Sequence, residues 1–449
     1  MDLRAQISAS LDAAGLSCGD YIETGGGSWP SAFSVSDLAV ASIGAACAEL
    51  AVLSGRDTPV EINRRLASLW FSLTVQPQGW DLPPVWDDLA GVYRTSDGFI
   101  RLHTNAPHHK AAAMRALGGA SDRASVEAAV LKRSAPELET AIVAQNGCAA
   151  QFMSLADWRD HPQGQATGAE PLIAWIGHLA AETQWSPGPV NRPLEGLKVL
   201  DLTRVLAGPI CTRTLAGFGA EVLRIDPPGW GEALVETEVT PGKRLATLDL
   251  KTTQGRDAFL ALLKDADVFV HGYRKDALEA LGLGEDLRRA VNPGLIDVAL
   301  NAYGWTGPWS SRRGFDSLVQ MSSGIAHQGM VWKNSDDPVP LPVQALDFAT
   351  GYFMAAAALR ALRVRLETGQ AMSARLSLAR TSALLASVPA GNDRSKFAPI
   401  TDADMTAETE HTDWGPARRI RFPADIPMMW SSSARRLHSD APRWMNSPT

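Results

Sequence analysis

The chain has 449 residues, 45% of them hydrophobic and 20% charged, which is ordinary for a globular protein and enough for two or three domains. A net charge of −7 and a pI near 5.8 argue against a nucleic-acid surface. Cys18, Cys47, Cys148 and Cys211 lack metal-ligand spacing and read as reduced thiols of a cytoplasmic protein; the N-terminus has no apolar signal core, and no run approaches the roughly 18 apolar residues of a membrane span.

Residues 1–16 read as a short amphipathic helix, and 17–32 as a loop in which Gly25, Gly26 and Gly27 mark a connector. Asp37 follows, in the position of an N-cap, ahead of a small-residue helix over 38–54 that stops at Gly55. Residues 93–103 read as a hairpin, with an aromatic start, an Asp97-Gly98 turn and an alternating second strand. Helical patterns cover 107–117 and 125–145. Residues 186–193, rich in Pro, Gly and Asn, form a linker.

Beyond the linker the pattern changes. The short apolar run 196–203 reads as a buried parallel strand. It breaks at Ala207-Gly208-Pro209 and continues as a helix over 210–218, with Pro209 suited to a first turn whose N–H groups are unpaired anyway. A second strand covers 220–226. Strand, tight loop, helix and strand make a βαβ unit whose crossover forces the strands parallel. Its helix N-terminus is a natural phosphate site. Further strands over 266–270 and 294–300 alternate with helices over 253–263, 276–282 and 286–291. The alternation implies a doubly wound parallel sheet with its ligand crevice at the strands' carboxyl ends. Asp347 then opens a long Ala-rich helix over 348–366 that stops at Gly369, repeating the Asp37 arrangement 310 residues later. Residues 389–449 lack sustained periodicity and read as a tail wrapping over the domain or a partner subunit. Asp347 admits two readings, a helix N-cap or a carboxylate nucleophile toward a thioester.

Six motifs run in order: PLEGLKVLDLTRVLAGP (193–209), GAEVLRIDPPG (219–229), KRLATLDLKTTQGR (243–256), DADVFVHGYRKDALEALGLG (265–284), YGWTGPWSSRRGFD (303–316) and PVQALDFATGYFMAAAALRAL (342–362). Together they resemble the family III CoA-transferases, the CaiB/BaiF family, which includes formyl-CoA transferase, carnitine-CoA transferase and α-methylacyl-CoA racemase. The resemblance implies an α/β fold: a doubly wound, Rossmann-like CoA-binding domain plus a smaller α+β domain. The N-terminal half looks like a diverged copy of the family's later half, so the order is rearranged or partly duplicated. The implied divisions are a helix and loop (1–33), a diverged helix with a small α+β domain (34–185), the linker (186–193), the CoA-binding domain with its aspartate helix (194–388) and the wrapping tail (389–449).

The resemblance also implies an acyl-CoA:carboxylate CoA-transferase that works through aspartyl anhydride and aspartyl-CoA intermediates, with Asp347 as nucleophile. Arg204, Leu206 and Ala207 match its first CoA loop. Leu248 and Lys251 match its adenine and phosphate positions, and Gly272, Tyr273 and Arg274 the loop after the next strand. Arg313 and Phe315 match positions near the thioester. CoA enters as a substrate, with no tightly bound cofactor and no metal. The implied partners are acyl-CoA, a carboxylic acid and a second copy in an interlocked dimer, or a second family member, with no nucleic acid and no membrane.

Three departures stand out. Ala280 replaces a common phosphate-binding Arg, Gly272 replaces a common Asn, and no glycine flap follows Asp347. Phe315 replaces the His of the racemase branch, which favours transfer over α-proton chemistry. Racemase or isomerase activity, a non-catalytic CoA-binding subunit and, last, a nicotinamide dehydrogenase using Asp226 are the alternatives; the last lacks a Gly-x-Gly-x-x-Gly fingerprint. Among the histidines, His271 and His327 fall near the presumed site, and His108-His109 on the N-terminal half.

Overall fold

The computed structural model describes residues 3–12, 16, 18–180, 183, 185–388 and 395–445. At its centre six strands run parallel, in the spatial order Lys243–Thr247, Glu221–Asp226, Lys198–Leu202, Val268–His271, Ile296–Asn301 and Gln370–Ser377. In chain order this is 3-2-1-4-5-6, the doubly wound arrangement, which reverses direction between Lys198–Leu202 and Val268–His271. A seventh strand, Ala174–Ala180, closes the far edge antiparallel to Gln370–Ser377. It lies before the linker, so the N-terminal half contributes directly to this sheet.

The helix after the first strand starts earlier than its Gly-Pro break suggests, running Ala207–Gly217. Gly208 and Pro209 fit inside its first turn, where backbone N–H groups have no intrahelical partner. The break falls instead at Val205, whose φ is +65°. The expected helix over 125–145 is two helices, Arg123–Val130 and Ala135–Ala144. The second begins at Ser134 with a proline in its first turn, which ends any continuous ladder. The expected loop over 17–32 contains a short strand, Tyr21–Thr24, paired parallel to Val60–Asn63; residue 17 and part of the first expected helix lie outside the described residues. The predicted hairpin forms from Gly91–Arg94 and Phe99–Leu102, joined by Ala149–Gln151 into a three-stranded sheet.

The helix Val35–Leu53 is long and apolar enough to cross a bilayer by composition, contrary to the sequence expectation, yet 89% of that window is buried inside the protein. It packs against the Asp347 helix, Ala345–Thr368. Between them Glu49 accepts from Arg360 Nη2 at 2.8 Å and Arg363 Nη1 at 3.1 Å. The C-terminal tail wraps over the sheet. Asp440 N–H donates to Leu245 O, and Trp444 is buried with its indole N–H donating to Leu262 O.

Glu49→Ala leaves two guanidiniums without the carboxylate that lies between them. It is expected to lower unfolding free energy by about 3–5 kcal/mol in urea denaturation, while a loss below about 1 kcal/mol would contradict this account.

Candidate active site

A cleft opens where the strand order reverses, as a space of about 350 Å³ bordered by Arg204, Leu206, Ala207, Gly272, Tyr273, Arg274, Arg313, Phe315 and Asp347. Two predicted positions are not among its lining residues. Leu248 packs half-buried against the core around Leu250 and Phe259, and Lys251 is exposed beyond the carboxyl end of Lys243–Thr247. Ala280 is exposed at the end of the helix Ala277–Ala280, and only Ala277 of that helix borders the cleft.

Backbone geometry shapes the first loop. Val205 is β-branched and held at positive φ, a strained conformation that persists only when surroundings fix it. Its N–H donates to Glu232 Oε2 at 2.9 Å, and Glu232 is in turn paired at 2.5 Å with the buried Arg224. The Asp347 helix comes close to this loop through Gly351, where a Cβ would lie 2.4 Å from Ala207 O. Glycine is therefore required for the approach.

Asp347 is 9% exposed and occupies the third position of its helix, not the N-cap. Asp316, fully buried, does the capping from another helix. Its Oδ2 accepts from Leu346 N–H at 2.8 Å and Asp347 N–H at 2.9 Å. Gln320 Nε2 donates to Asp316 Oδ1, and Gln320 Oε1 accepts from Leu341 N–H at 2.7 Å. Asp347 is thus spared from capping its own helix and borders the cleft. Burial pushes Asp316 up to about 6, against the opposing pull of Gln320 and the two N–H groups. Burial first, and then the Asp316 charge, raise Asp347 well above the usual carboxylate range. Asp37 also sits third in its helix rather than at the N-cap, but there it pairs with Arg64 at 2.6 Å and is half-exposed.

The cleft's cations suit an anion. Arg204 donates to the Tyr273 hydroxyl at 3.0 Å and lies over the Trp230 ring at 4.7 Å. Arg274 donates to Ser311 O and Arg313 to Asn146 Oδ1. Among the described residues neither Arg274 nor Arg313 has a carboxylate within ion-pair distance. No His, Cys, Asp and Glu group among them could hold a metal ion. Asp226 is buried against Arg224 at 2.8 Å, an internal ion pair rather than a ribose acceptor.

The histidines differ from expectation. His327 packs on Phe152 away from the cleft, and His271 pairs with Asp297 at 3.3 Å beside a neighbouring cavity. His108 and His109 instead border the cleft, delivered by the helix Pro107–Ala116 of the N-terminal half. Phe315 stacks face to face on His103, with ring centroids 3.7 Å apart, and meets His109 edge-on. Burial lowers His103 to about 3 and His109 to about 4. No spacing in the sequence links residues 103–109 to residues 315 and 347; only the fold brings them together.

The model of CoA-transferase family III matches residues 194–418, half of the chain, and the chain belongs to that family. It is 36% identical over 206 residues to an acyl-CoA transferase of Fusarium pseudograminearum, a match covering 41% of this chain and 45% of the relative. It is 38% identical over 194 residues to a probable fatty acyl-CoA transferase of Mycobacterium tuberculosis, covering 40% and 49%. Human succinyl-CoA:glutarate CoA-transferase is 36% identical over 194 residues, covering 40% and 44%. The chain therefore spans less than half the length of these relatives. A crystal structure of a CaiB/BaiF family protein from Brucella suis matches at 28% identity with a TM-score of 0.39, covering 50% of this chain and 65% of that one.

A carboxyl whose pKa is raised on folding makes the folded state the better proton binder between the two pKa values. The stability contributed by Asp316 therefore falls as pH rises from about 4 toward about 6. Asp316→Asn keeps an acceptor for both N–H groups and removes the charge. The thermal midpoint of wild type minus that of Asp316→Asn should fall across that window, and a rise would contradict the assignment.

Proposed function

We propose that the chain is an acyl-CoA:carboxylate CoA-transferase in which the Asp347 carboxylate is the nucleophile. The observation that carries this reading is the buried Asp347 bordering the cleft while Asp316 caps its helix. The ionised carboxylate attacks the thioester carbonyl, the C–S bond breaks, and a mixed anhydride and CoA thiolate form. The thiolate attacks the aspartyl carbonyl, the donor acid leaves as its carboxylate, and an aspartyl-CoA thioester remains. An acceptor carboxylate repeats both exchanges and leaves as its CoA ester, regenerating Asp347. No net proton is consumed. Arg204 and Arg274 supply charge-assisted hydrogen bonds for the phosphates, and Arg313 stands toward the thioester end. Leu248 and Lys251 would serve the adenosine end outside the cleft.

Racemisation fits less well. His103 and His109 do place imidazoles beside Phe315, but burial makes both poor bases for an α-proton. The same reading includes a homodimer, although His108, His109 and the Asn146 contact to Arg313 already reach the cleft within one chain.

The diverged repeat belongs to this proposal. The N-caps Ser34 and Gln344 share φ −76° and ψ of 60° and 61°, and each helix follows an N–H to carbonyl bond of 2.8 Å across its cap, Val35 to Phe33 and Ala345 to Val343. Each helix then leads to a strand paired parallel to an earlier one, and to a short helix capped by that strand's last residue, Asn63 or Ser377.

Incubation with a panel of acyl-CoAs should leave an acyl or CoA adduct in the intact-protein mass, removable by hydroxylamine and absent from Asp347→Ala. An adduct that persists in the variant would exclude Asp347 as nucleophile. Arg204→Ala should weaken CoA binding by about tenfold or more in calorimetry, the worth of one hydrogen bond to a charged group.

A further inference from the structure

His109 is the third residue of the helix Pro107–Ala116 and is 5% exposed. Its ring meets Phe315 edge-on at 5.8 Å and lies 4.1 Å from the exposed ring of His108. Both ring nitrogens are buried, and neither has a hydrogen-bond partner among the described residues. A buried imidazole left without partners is unfavourable, and a ligand atom entering the cleft is a candidate to complete it. His109 borders the same cleft as Asp347 and Arg313. His103 has an orphan Nδ1 too, but it is covered by the Phe315 face and does not border the cleft.

The transferase cycle makes a particular demand on such a group. CoA leaves as a thiolate at both exchanges and must attack again before it is protonated or lost. An imidazolium at its ordinary pKa near 6.5 would hand its proton to a thiolate whose conjugate acid lies near 8.5. A neutral imidazole donates a hydrogen bond from N–H without giving up the proton. Burial, the neighbouring His108 and the Arg313 guanidinium all hold His109 neutral. Arg313 adds positive charge to the cleft beside it.

We propose that His109 is a catalytic residue whose neutral N–H holds the CoA sulfur as a thiolate between exchanges. This deepens the transferase reading and rests on it. Acyl transfer proceeds as written above, with no proton leaving His109 at any step. The charged and titratable groups acting on it are His108, His103 and Arg313, and Asp347 borders the same cleft.

The test uses CoA itself, so it does not depend on knowing the acyl group. The thiol of bound CoA is titrated by the ultraviolet absorbance of its thiolate in the wild type, His109→Phe and His109→Gln. The wild type should raise the thiolate-to-thiol ratio about tenfold or more over the His109→Phe complex, and His109→Gln, which keeps an N–H donor, should recover most of it. Equal titration in the wild type and His109→Phe, with CoA bound to both, overturns the proposal. Loss of CoA binding in His109→Phe alone also overturns it, by assigning the ring to packing of the cleft wall. If the wild type binds no CoA in calorimetry, it is the transferase reading that fails.

Discussion

A buried helix that begins beside a ligand cleft must satisfy its first N–H groups without water. In the Asp347 helix that task falls to Asp316, whose carboxylate reaches across from another helix to two consecutive amides. The arrangement brings two carboxyl groups together inside the protein, and neither desolvation nor mutual repulsion favours their joint ionisation. Gln320 fixes the second oxygen of Asp316 and ties it to Leu341, upstream of the helix. Remove Asp316, and the helix start, the orientation of Asp347 and its protonation all change together.

The rest of the cleft is arranged around that point by elements far apart in sequence. The first βα loop is held in a strained turn by Glu232, and Gly351 lets it lie against the Asp347 helix. The loop after Val268–His271 adds Tyr273 and Arg274. The N-terminal half completes the wall through His108 and His109, next to Phe315, which has His103 stacked on one face and His109 edge-on. The switch in strand order supplies the crevice, while the chemistry of its rim comes from segments scattered along the chain.

The doubly wound sheet after the linker was largely legible in the sequence. Short apolar runs such as 196–203 read as buried parallel strands, and their alternation with helices points to the doubly wound sheet that forms. The hairpin at Asp97-Gly98 was legible from its turn chemistry. What stayed hidden depends on contacts between distant segments. The antiparallel edge strand Ala174–Ala180 is defined by its partner Gln370–Ser377. The capping of one helix by the aspartate of another leaves no trace in local spacing, so Asp37 and Asp347 both looked like N-caps. His108 and His109 looked peripheral for the same reason, since nothing nearby in sequence shows what their helix faces.

The helix Val35–Leu53 has a consequence for biogenesis. Its apolar surface is covered in the native protein by a helix that begins only at Ala345. On the ribosome the first helix emerges long before its cover exists, and it carries enough hydropathy to be mistaken for a membrane segment. The edge strand Ala174–Ala180 waits in the same way for Gln370–Ser377. Nascent chains of this order therefore carry a long-lived sticky surface, and their yield in the cell should depend on chaperone capacity more than does that of proteins whose neighbouring segments fold as they appear.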